Sequence, residues 1–439
     1  MRALHLRTAP AANPAAGSRP TPALAAACAG APQPGAPDED ATPGSRPPAA
    51  VGAPPGWLIL LLATACGLTV ANLYYAQPLL EIIRDTFHLQ VSTAGSLITV
   101  TQLGYALGML LLVPLGDRIE NGRLVQILLA ITALGLAAGG LAPGFAVLLV
   151  AALIASATSV VAQILVPYAA DLAPNHMRGA VVGRVMSGLL AGILLSRTVG
   201  SIIAEAAGWR AVYLISAVLM AGLALVLRRA LPRHPPTSNQ SYGALLRSTA
   251  RLVRVHPQLR RRSIYHACVF AGFSAFWSTI AYVLMSPPFH YSQLGVGIFA
   301  LVGAGGALVA PLAGRLADKG YVHRLTPVAS LLAAAVLVWA GLAGHQIVVL
   351  VLAAVLLDTA VQCSLIFGQH TIYQLDASAR ARITSVYIAT FFLGGAVGSL
   401  AGTYAYHAGG WPALTLTAAA FPVLAALMWT TERPRAQTA

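Results

Sequence analysis

Two charged side chains stand inside long apolar stretches of the sequence, where charges are rare. Arg197 lies near the middle of the apolar run 179–206, and Asp358 lies at comparable depth in the run 346–370. An arginine at the centre of a membrane helix costs about 2.5–3.5 kcal/mol on the translocon-insertion scale, so such residues usually face a cavity or an acidic partner. Asp358 could take up and release a proton as its surroundings alternate between wet and dry. A fixed Asp358–Arg197 pair, or a hydrogen-bonded structural acid, explains the two residues about equally well.

Other kinds of chemistry find no support in the sequence. It contains no Gly-x-x-x-x-Gly-Lys segment for a nucleotide phosphate and no grouping of Ser, His and Asp for nucleophilic catalysis. The four cysteines have neither disulfide nor metal-ligand spacing. The sequence therefore predicts no cofactor, no metal site and no enzymatic activity.

A polar turn between two apolar runs occurs twice, once in each half of the chain. The first turn is Pro114–Arg123 and the second is Pro311–Gly320, with Asp318 201 positions after Asp117. One interpretation is topological, with basic residues that hold the loop on one side of a membrane and glycines that form the bend. The other is a gate on the cytoplasmic side, in which each acid reaches the positive end of a helix in the opposite half.

The gate hypothesis predicts definite pairings. Asp117 would lie near Arg380 and Arg382, and Asp318 would lie near Arg178. Arg178 and Arg380 are themselves 202 positions apart, so the repeat keeps both the acids and their prospective partners. This favours the gate. The candidate gate residues are Asp117, Arg118, Arg123, Arg178, Asp318 and Arg380.

Small residues recur every four positions in two apolar runs, again about 202 positions apart. This spacing places a smooth ridge along one helix face and lets a second helix approach closely. The predicted packing residues are Gly188, Gly192, Gly200, Gly394, Gly398 and Gly402.

Composition and run length predict a membrane protein. Hydrophobic residues make up 57% of the 439 residues and charged residues 9%, whereas soluble domains carry about 25% charged residues. We count twelve apolar runs, each long enough to cross about 30 Å of hydrocarbon. The predicted fold is an all-α membrane protein with twelve transmembrane helices in two pseudo-symmetric six-helix bundles. We expect a disordered tail at 1–55, an N-terminal bundle at 56–229, a cytoplasmic linker at 230–262, a C-terminal bundle at 263–431 and a second tail at 432–439.

The positions of the arginines predict the orientation. The net charge is +14, and almost all of the basic residues fall in loops on one side of the membrane. By the positive-inside rule both termini are cytoplasmic. A basic cluster of this kind is expected on anionic lipid, so nucleic acid is not a predicted partner. We expect a monomer in the inner membrane of a bacterium.

Two motifs carry a resemblance to a known family. The second turn, from Gly314 to Gly320, resembles the loop signature Gly-x-x-x-Asp-Arg-x-Gly-Arg-Arg of the major facilitator superfamily, and Val113 takes the leading glycine position in the first turn. Gly183 and Gly192, followed by Ser196-Arg197 and Gly200-Ser201, have the spacing of the helix 5 signature of drug/proton antiporters. In that signature Gly-Pro and Gly-Gly occupy the last two pairs. The resemblance covers residues 57–430.

The resemblance implies a transporter that works by alternating access, in which helices 1, 4, 7 and 10 line a central cavity. Polar and aromatic residues on those helices describe an amphipathic pocket with little charge, which suits moderately apolar or zwitterionic solutes better than polyanions. The candidate cavity residues are Asn72, Tyr75, Gln163, Trp277, Ser278, Tyr282 and Gln362. The implied function is efflux of a small organic solute in exchange for protons. A solute/proton symporter, a facilitator, and a membrane enzyme or sensor on the same fold are the alternatives.

Overall fold

The computed structural model describes residues 54–174, 176–232, 241–376 and 379–432, and this part of the chain is helical without a β-strand. The first helices are α1 Gly56–Ala71, α2 Ala76–Phe87, α3 Val91–Leu111, α4 Asn121–Gly140, α5 Phe145–Thr158, α6 Val161–Asp171, α7 Arg178–Ala207 and α8 Trp209–Ala230. The remainder are α9 Tyr242–Val255, α10 Pro257–Met285, α11 Gln293–Gly303, α12 Ala310–Asp318, α13 Val322–Ala343, α14 Ile347–Ile372 and α15 Arg380–Thr430. Nearly all of the two predicted tails, and residues 233–240 of the predicted linker, lie outside the described residues.

By length and composition, eleven helical spans in the described residues could cross a membrane. The last of them, α15, has 51 residues and is interrupted at Gly409 and Gly410, where the backbone leaves the helical region. Gly410 has φ 64° and ψ −155°, a conformation that residues with a side chain rarely adopt. This break divides α15 into two spans, which agrees with the twelve predicted helices.

Several spans are broken helices rather than straight ones. The first span, Gly56–Phe87, consists of α1 and α2 joined by a turn at residues 72–75. A span from Gln293 to Asp318 contains α11 and α12 with a 3-10 turn, Ala304–Val309, between them. In membrane transporters, interrupted helices near the middle of the bilayer are where binding sites are built.

Glycines bring paired helices into backbone contact in both halves. A Cβ on Gly192 would meet the carbonyl oxygen of Gly67, so α7 lies directly on α1. A Cβ on Gly398 would likewise meet the carbonyl oxygen of Ala271, so α15 lies directly on α10. Gly188, Gly394 and Gly402 make comparably close contacts. Gly200 is different, because the nearest atom to its added Cβ belongs to Tyr75 at an ordinary 3.5 Å.

Buried polar contacts join the first six spans to the last six. Along α3, Thr99 Oγ1 and Ser399 Oγ are 2.9 Å apart, and Gln102 Nε2 donates to Ser274 Oγ at 2.7 Å. On the other side, Thr198 Oγ1 of α7 donates to the carbonyl oxygen of Gly297 in α11 at 2.9 Å. Hydrogen bonds of this kind hold helices together in lipid but can exchange partners.

We expect Gly192→Ala to destabilise the protein, because the new methyl group would overlap the backbone of Gly67. Overpacking of this kind costs about 1–3 kcal/mol. The matched control is Gly183→Ala in the same helix, where no atom lies within 4 Å of the added Cβ. There the higher helix propensity of alanine should leave stability unchanged or raise it by up to about 1 kcal/mol. Thermal unfolding in detergent measures both variants, and equal unfolding temperatures would contradict the packing argument.

Candidate functional site

A cavity of about 780 Å³ lies between the first six spans and the last six. Its lining on α7 runs from Val182 to Arg197, and its lining on α14 runs from Asp358 to beyond Gln369. Fifteen residues of helix correspond to about 22 Å, so the cavity is a deep channel rather than a shallow dish. The breaks in the first and eighth spans lie beside its inner end, where Tyr74 and Ala307 contribute to the lining.

The walls of the cavity differ in chemistry. The α7 wall is aliphatic and consists of Val182, Met186, Leu189, Leu190, Ile193 and Leu194. The wall from α10 and α15 is aromatic, with the Phe391 and Phe392 rings stacked at 4.5 Å and Phe270 stacked on Phe273 at 5.2 Å. The α14 wall carries polar groups, including Gln362 and Gln369. The cavity is therefore mostly apolar with one amide-bearing side.

Arg197 lies at the inner end of the cavity and is 2% exposed. Its Nε donates a hydrogen bond to Gln77 Oε1 at 2.8 Å, whereas its Nη2 has no hydrogen-bond partner in the described part of the chain. Three aromatic rings surround the guanidinium carbon, with their centroids 4.3 Å away for Trp277, 5.1 Å for Tyr74 and 5.8 Å for Phe273. Desolvated cation–π contacts are each worth roughly 2 kcal/mol, so this cage offsets part of the cost of burial.

Asp358 is 8% exposed and faces the same inner end from α14. It is close enough to Arg197 and Tyr74 for electrostatic interaction. No carboxylate oxygen in the described ranges lies within the 4.0 Å of an ion pair from Arg197. The backbone at Gly306 packs directly on Asp358, and the Trp277 indole lies next to its carboxyl group. The two charges are thus neighbours without direct contact.

The cavity opens on the arginine-rich side of the protein and is closed on the other. Its outer lining includes Tyr373, Arg380 and Thr384, at the ends of α14 and α15 that carry the basic residues. On the opposite side Gln293 Nε2 donates to the carbonyl oxygen of Pro78 at 2.8 Å and to Ser201 Oγ at 3.2 Å. These contacts join α11 to α2 and α7 across the two halves and separate the cavity from that side.

Of the seven cavity residues predicted from the sequence, Gln163 and Gln362 line the cavity. Gln163 Nε2 donates to the Tyr105 hydroxyl at 3.3 Å. Trp277 lies behind the lining and contacts Arg197 instead. The structure places the other four residues, Asn72, Tyr75, Ser278 and Tyr282, outside the lining of this cavity.

These four residues are engaged elsewhere. Asn72 Nδ2 points to Ser159 Oγ at 3.4 Å, and Ser278 Oγ donates to the carbonyl oxygen of Ser274 in its own helix at 2.7 Å. Tyr75 packs near Gly200. Tyr282 lies on the closed side, where the guanidinium carbon of Arg84 is 5.8 Å from the centroid of its ring. Sequence spacing identifies the helix but not which of its faces meets the cavity.

His266 lines the cavity and was not predicted from the sequence. Its Nδ1 lies 3.1 Å from Ser364 Oγ, and its ring stacks on Tyr387 at 5.5 Å. The sequence contains a pattern that could have predicted this position, because His266 lies three helical turns before Trp277 within one apolar run. Within the described ranges, no three His, Cys, Asp or Glu side chains come together to hold a metal ion.

The structure brings together one of the two predicted pairs of gate residues and leaves the other pair apart. Asp117 is within electrostatic range of Arg382, as the gate hypothesis requires. Asp318 instead lies 3.8 Å from His370 Nε2, and Arg178 Nε donates to the carbonyl oxygen of Ala173 at 3.3 Å. Asp318 and Arg178 therefore have other partners in this structure, in which the cavity mouth is open on their side, and their pairing in a closed mouth stays a prediction.

The remaining gate candidates bind locally or lie at the surface. Arg380 Nε donates to the carbonyl oxygen of Tyr373 at 3.2 Å, which leaves Arg382 as the arginine near Asp117. Arg118 and Arg123 are exposed. The first turn forms a 3-10 helix, Val113–Asp117, between α3 and α4.

Comparison with known proteins gives matches along the whole membrane region. A family model described as Major Facilitator Superfamily matches residues 59–374 and 263–439. The "Uncharacterized transporter YgaY" of Escherichia coli is 42% identical over 85% of this chain and 94% of its own length. The Streptomyces coelicolor protein named "Probable transporter SCO4007" is 33% identical over 83% of this chain and 85% of its own length. A solved inward-facing bacterial homologue of the human lysosomal transporter Spinster has a TM-score of 0.69 at 17% identity, covering 87% of this chain and 99% of that one.

We expect the double variant Arg197→Gln/Asp358→Asn to be more stable than Asp358→Asn alone. An arginine cannot lose its proton, so the single change leaves a buried charge without its counter-charge. Removing Arg197 as well removes that charge, and groups that interact in this way show coupling energies of about 0.5–3 kcal/mol. Thermal unfolding in detergent at one pH measures the coupling when it is applied to the unsubstituted protein, to Arg197→Gln, to Asp358→Asn and to the double variant. Strictly additive effects would mean that the two charges do not stabilise each other.

Proposed function

The chain belongs to the major facilitator superfamily, and from this premise we propose that it moves a small organic solute across the membrane by alternating access, in exchange for protons. The observation that carries the proposal is the cavity of about 780 Å³ with Arg197 and Asp358 at its inner end. It is open at one side and closed at the other, as one half of an alternating-access cycle requires. The relatives named above are called transporters, which favours transport over a membrane enzyme or a sensor.

Alternation requires that contacts on the closed side break as the mouth closes. The hydrogen bonds from Gln293 to Pro78 and Ser201 join the halves at few points, and the backbone N–H of Leu294 adds a bond to Glu205 Oε2 at 3.2 Å. A small set of exchangeable polar contacts can be replaced by an equivalent set on the other side. We infer that Asp117 and Arg382, which are already within electrostatic range of each other, form the start of that second set, and that Asp318 joins it when the mouth closes.

Asp358 is the proposed proton carrier. Arg197 faces it from α7, Tyr74 from the break between α1 and α2, and His266 lines the same cavity from α10, whereas the turn before α12 contributes only backbone at Gly306. The dry inner end and the positive charge of Arg197 act on the carboxyl group in opposite senses. We propose that a change in water access during the transport cycle changes its protonation.

The arginine-rich side is proposed to be the cytoplasmic face of a bacterial inner membrane, with both termini inside. The open mouth would then face the cytoplasm and admit solutes for export. The spacing of Gly183, Gly192, Ser196-Arg197 and Gly200-Ser201 on α7 favours exchange with protons. A symporter or facilitator of the same fold is the alternative, in which the solute and the proton bind together or independently. We expect a monomer to be sufficient, because both walls of the cavity come from one chain.

Alternating access can be measured before any solute is known. In a cysteine-free background, spin labels at His176 and Gln374 report the mouth, and labels at Gln90 and Tyr291 report the closed side; all four residues are exposed. We expect double electron–electron resonance in lipid nanodiscs to show the two distances changing in opposite directions between about pH 5.5 and pH 8, because protonation of Asp358 shifts the balance between conformations.

The matched control is Asp358→Asn in each labelled background. It keeps the shape of the side chain but cannot titrate, so the distance distributions should stop responding to pH. Distances that never change, with any label pair and at any pH, would contradict alternating access. A pH response that persists in Asp358→Asn would remove this residue from the proton pathway and leave the fold unaffected.

A further inference from the structure

Two opposite charges lie at the inner end of the cavity, one from each half of the protein, and they do not form an ion pair with each other. Arg197 is 2% exposed and Asp358 is 8% exposed, and no carboxylate in the described ranges is within 4.0 Å of the guanidinium. Among the described residues Arg197 Nη2 has no hydrogen-bond partner, and the Trp277 indole lies next to the Asp358 carboxyl group. Buried polar groups are normally hydrogen-bonded, so this end of the cavity is short of a partner.

We propose that the missing partner is a zwitterionic solute with a bulky apolar body. Its carboxylate would approach Arg197, its ammonium group would approach Asp358, and its apolar part would lie between the aliphatic wall of α7 and the aromatic wall of α10 and α15. This proposal rests on the proposed transport function and names the class of substrate for the same cavity.

Charge balance selects the zwitterion over simpler solutes. A monoanion compensates Arg197 but is repelled by the neighbouring Asp358, and a monocation meets the opposite difficulty. In a site of intermediate polarity each such repulsion weakens binding by about tenfold or more. A neutral solute leaves both charges without a partner. A polyanion would bring an excess of negative charge into a cavity whose inner end carries one charge of each sign.

The lining of the cavity indicates that the solute has a large apolar part. Between the two charges and the mouth, the lining consists largely of side chains such as Leu190, Ile193, Phe270 and Phe391. Burial of apolar surface contributes about 25 cal/mol per Å², so a solute with a large side chain binds more tightly than one without. Free amino acids with large apolar side chains, and short apolar peptides, share this chemistry and differ in the separation of their two charges.

Asp358 would also link the binding of the solute to the binding of the proton. The ammonium group and the proton would compete for Asp358, so a bound solute excludes the proton and a bound proton weakens the solute. The other titratable groups in the described lining of the cavity are Tyr74, Tyr105, Arg197, His266, Tyr373 and Arg380. Arg197 keeps its charge throughout and retains the carboxylate contact. Affinity for the zwitterion should therefore fall as Asp358 is protonated, that is, as pH decreases.

Titration calorimetry of the full chain in detergent at pH 8 tests this with matched probes. The first set is L-tryptophan, tryptamine and N-acetyl-L-tryptophan, which at this pH carry both charges, only the ammonium and only the carboxylate. L-leucine and leucyl-leucine compare the two charge separations, and glycine lacks the apolar body. We expect one of the zwitterions with a large side chain to bind at least ten times more tightly than the amine without a carboxylate, the N-acetyl derivative and glycine.

Two variants assign the charges. In Asp358→Asn the preference for the zwitterion over the N-acetyl derivative should disappear, and in Arg197→Gln the preference for the zwitterion over tryptamine should disappear. Arg197→Lys, which keeps the positive charge, should retain part of the binding. The comparison among probes is made within each protein, so a variant that folds in lower yield still reports its own preference.

The outcomes separate this proposal from the proposed function. If the unsubstituted protein binds tryptamine or the N-acetyl derivative as tightly as the zwitterion, the proposed substrate class is wrong. If no zwitterion binds while the spin-label distances still respond to pH, the substrate class is wrong and the transport cycle stands. If the spin-label distances never change, the proposed function fails, whatever binds.

Discussion

A guanidinium group that cannot lose its proton is held inside an apolar helix bundle, and much of the surrounding structure reduces the cost of placing it there. Arg197 has one hydrogen bond, to Gln77, and its remaining surroundings are the rings of Trp277, Tyr74 and Phe273. Aromatic faces stabilise a cation without neutralising it. The positive charge is therefore retained at the end of the cavity, where it can act on Asp358 and on a solute.

The helix breaks and the glycine contacts both serve to position this charge. The turn at residues 72–75 joins α1 to α2 at the point where the Tyr74 ring and the Gln77 amide contact Arg197. The contact of Gly192 with the backbone of Gly67 brings α7 against α1 one turn before Arg197, so the arginine is carried directly to the broken segment. The 3-10 turn before α12 similarly brings the Gly306 backbone onto Asp358. The small residues and the breaks in the helices therefore determine where the side chains of Arg197 and Asp358 lie.

The sequence predicts the fold well because its signals are long and repetitive. Twelve apolar runs, a repeat of about 202 positions and two charges at depth are visible without coordinates. The individual lining residues are harder to predict. Ser278 and Tyr282 lie on a helix that lines the cavity, but α10 is buried on nearly every side, so its polar residues have no preferred face in the pattern. The pairing of Asp318 could not be predicted because it depends on which side of the protein is open.

The duplicated fold is symmetric in its packing and asymmetric in its charges. The residue 202 positions after Arg197 is Ser399, which meets Thr99 at the interface between the halves, and the residue 202 positions before Asp358 is Ser156. The first half thus contributes only the cation of this site and the second half only the acid. Because the two residues stand on different halves, a rotation of one half against the other about an axis away from them changes the separation of Arg197 and Asp358. Their mutual attraction therefore depends on the conformation of the protein, and a ligand or proton that alters it at the inner end of the cavity alters the balance between the two halves.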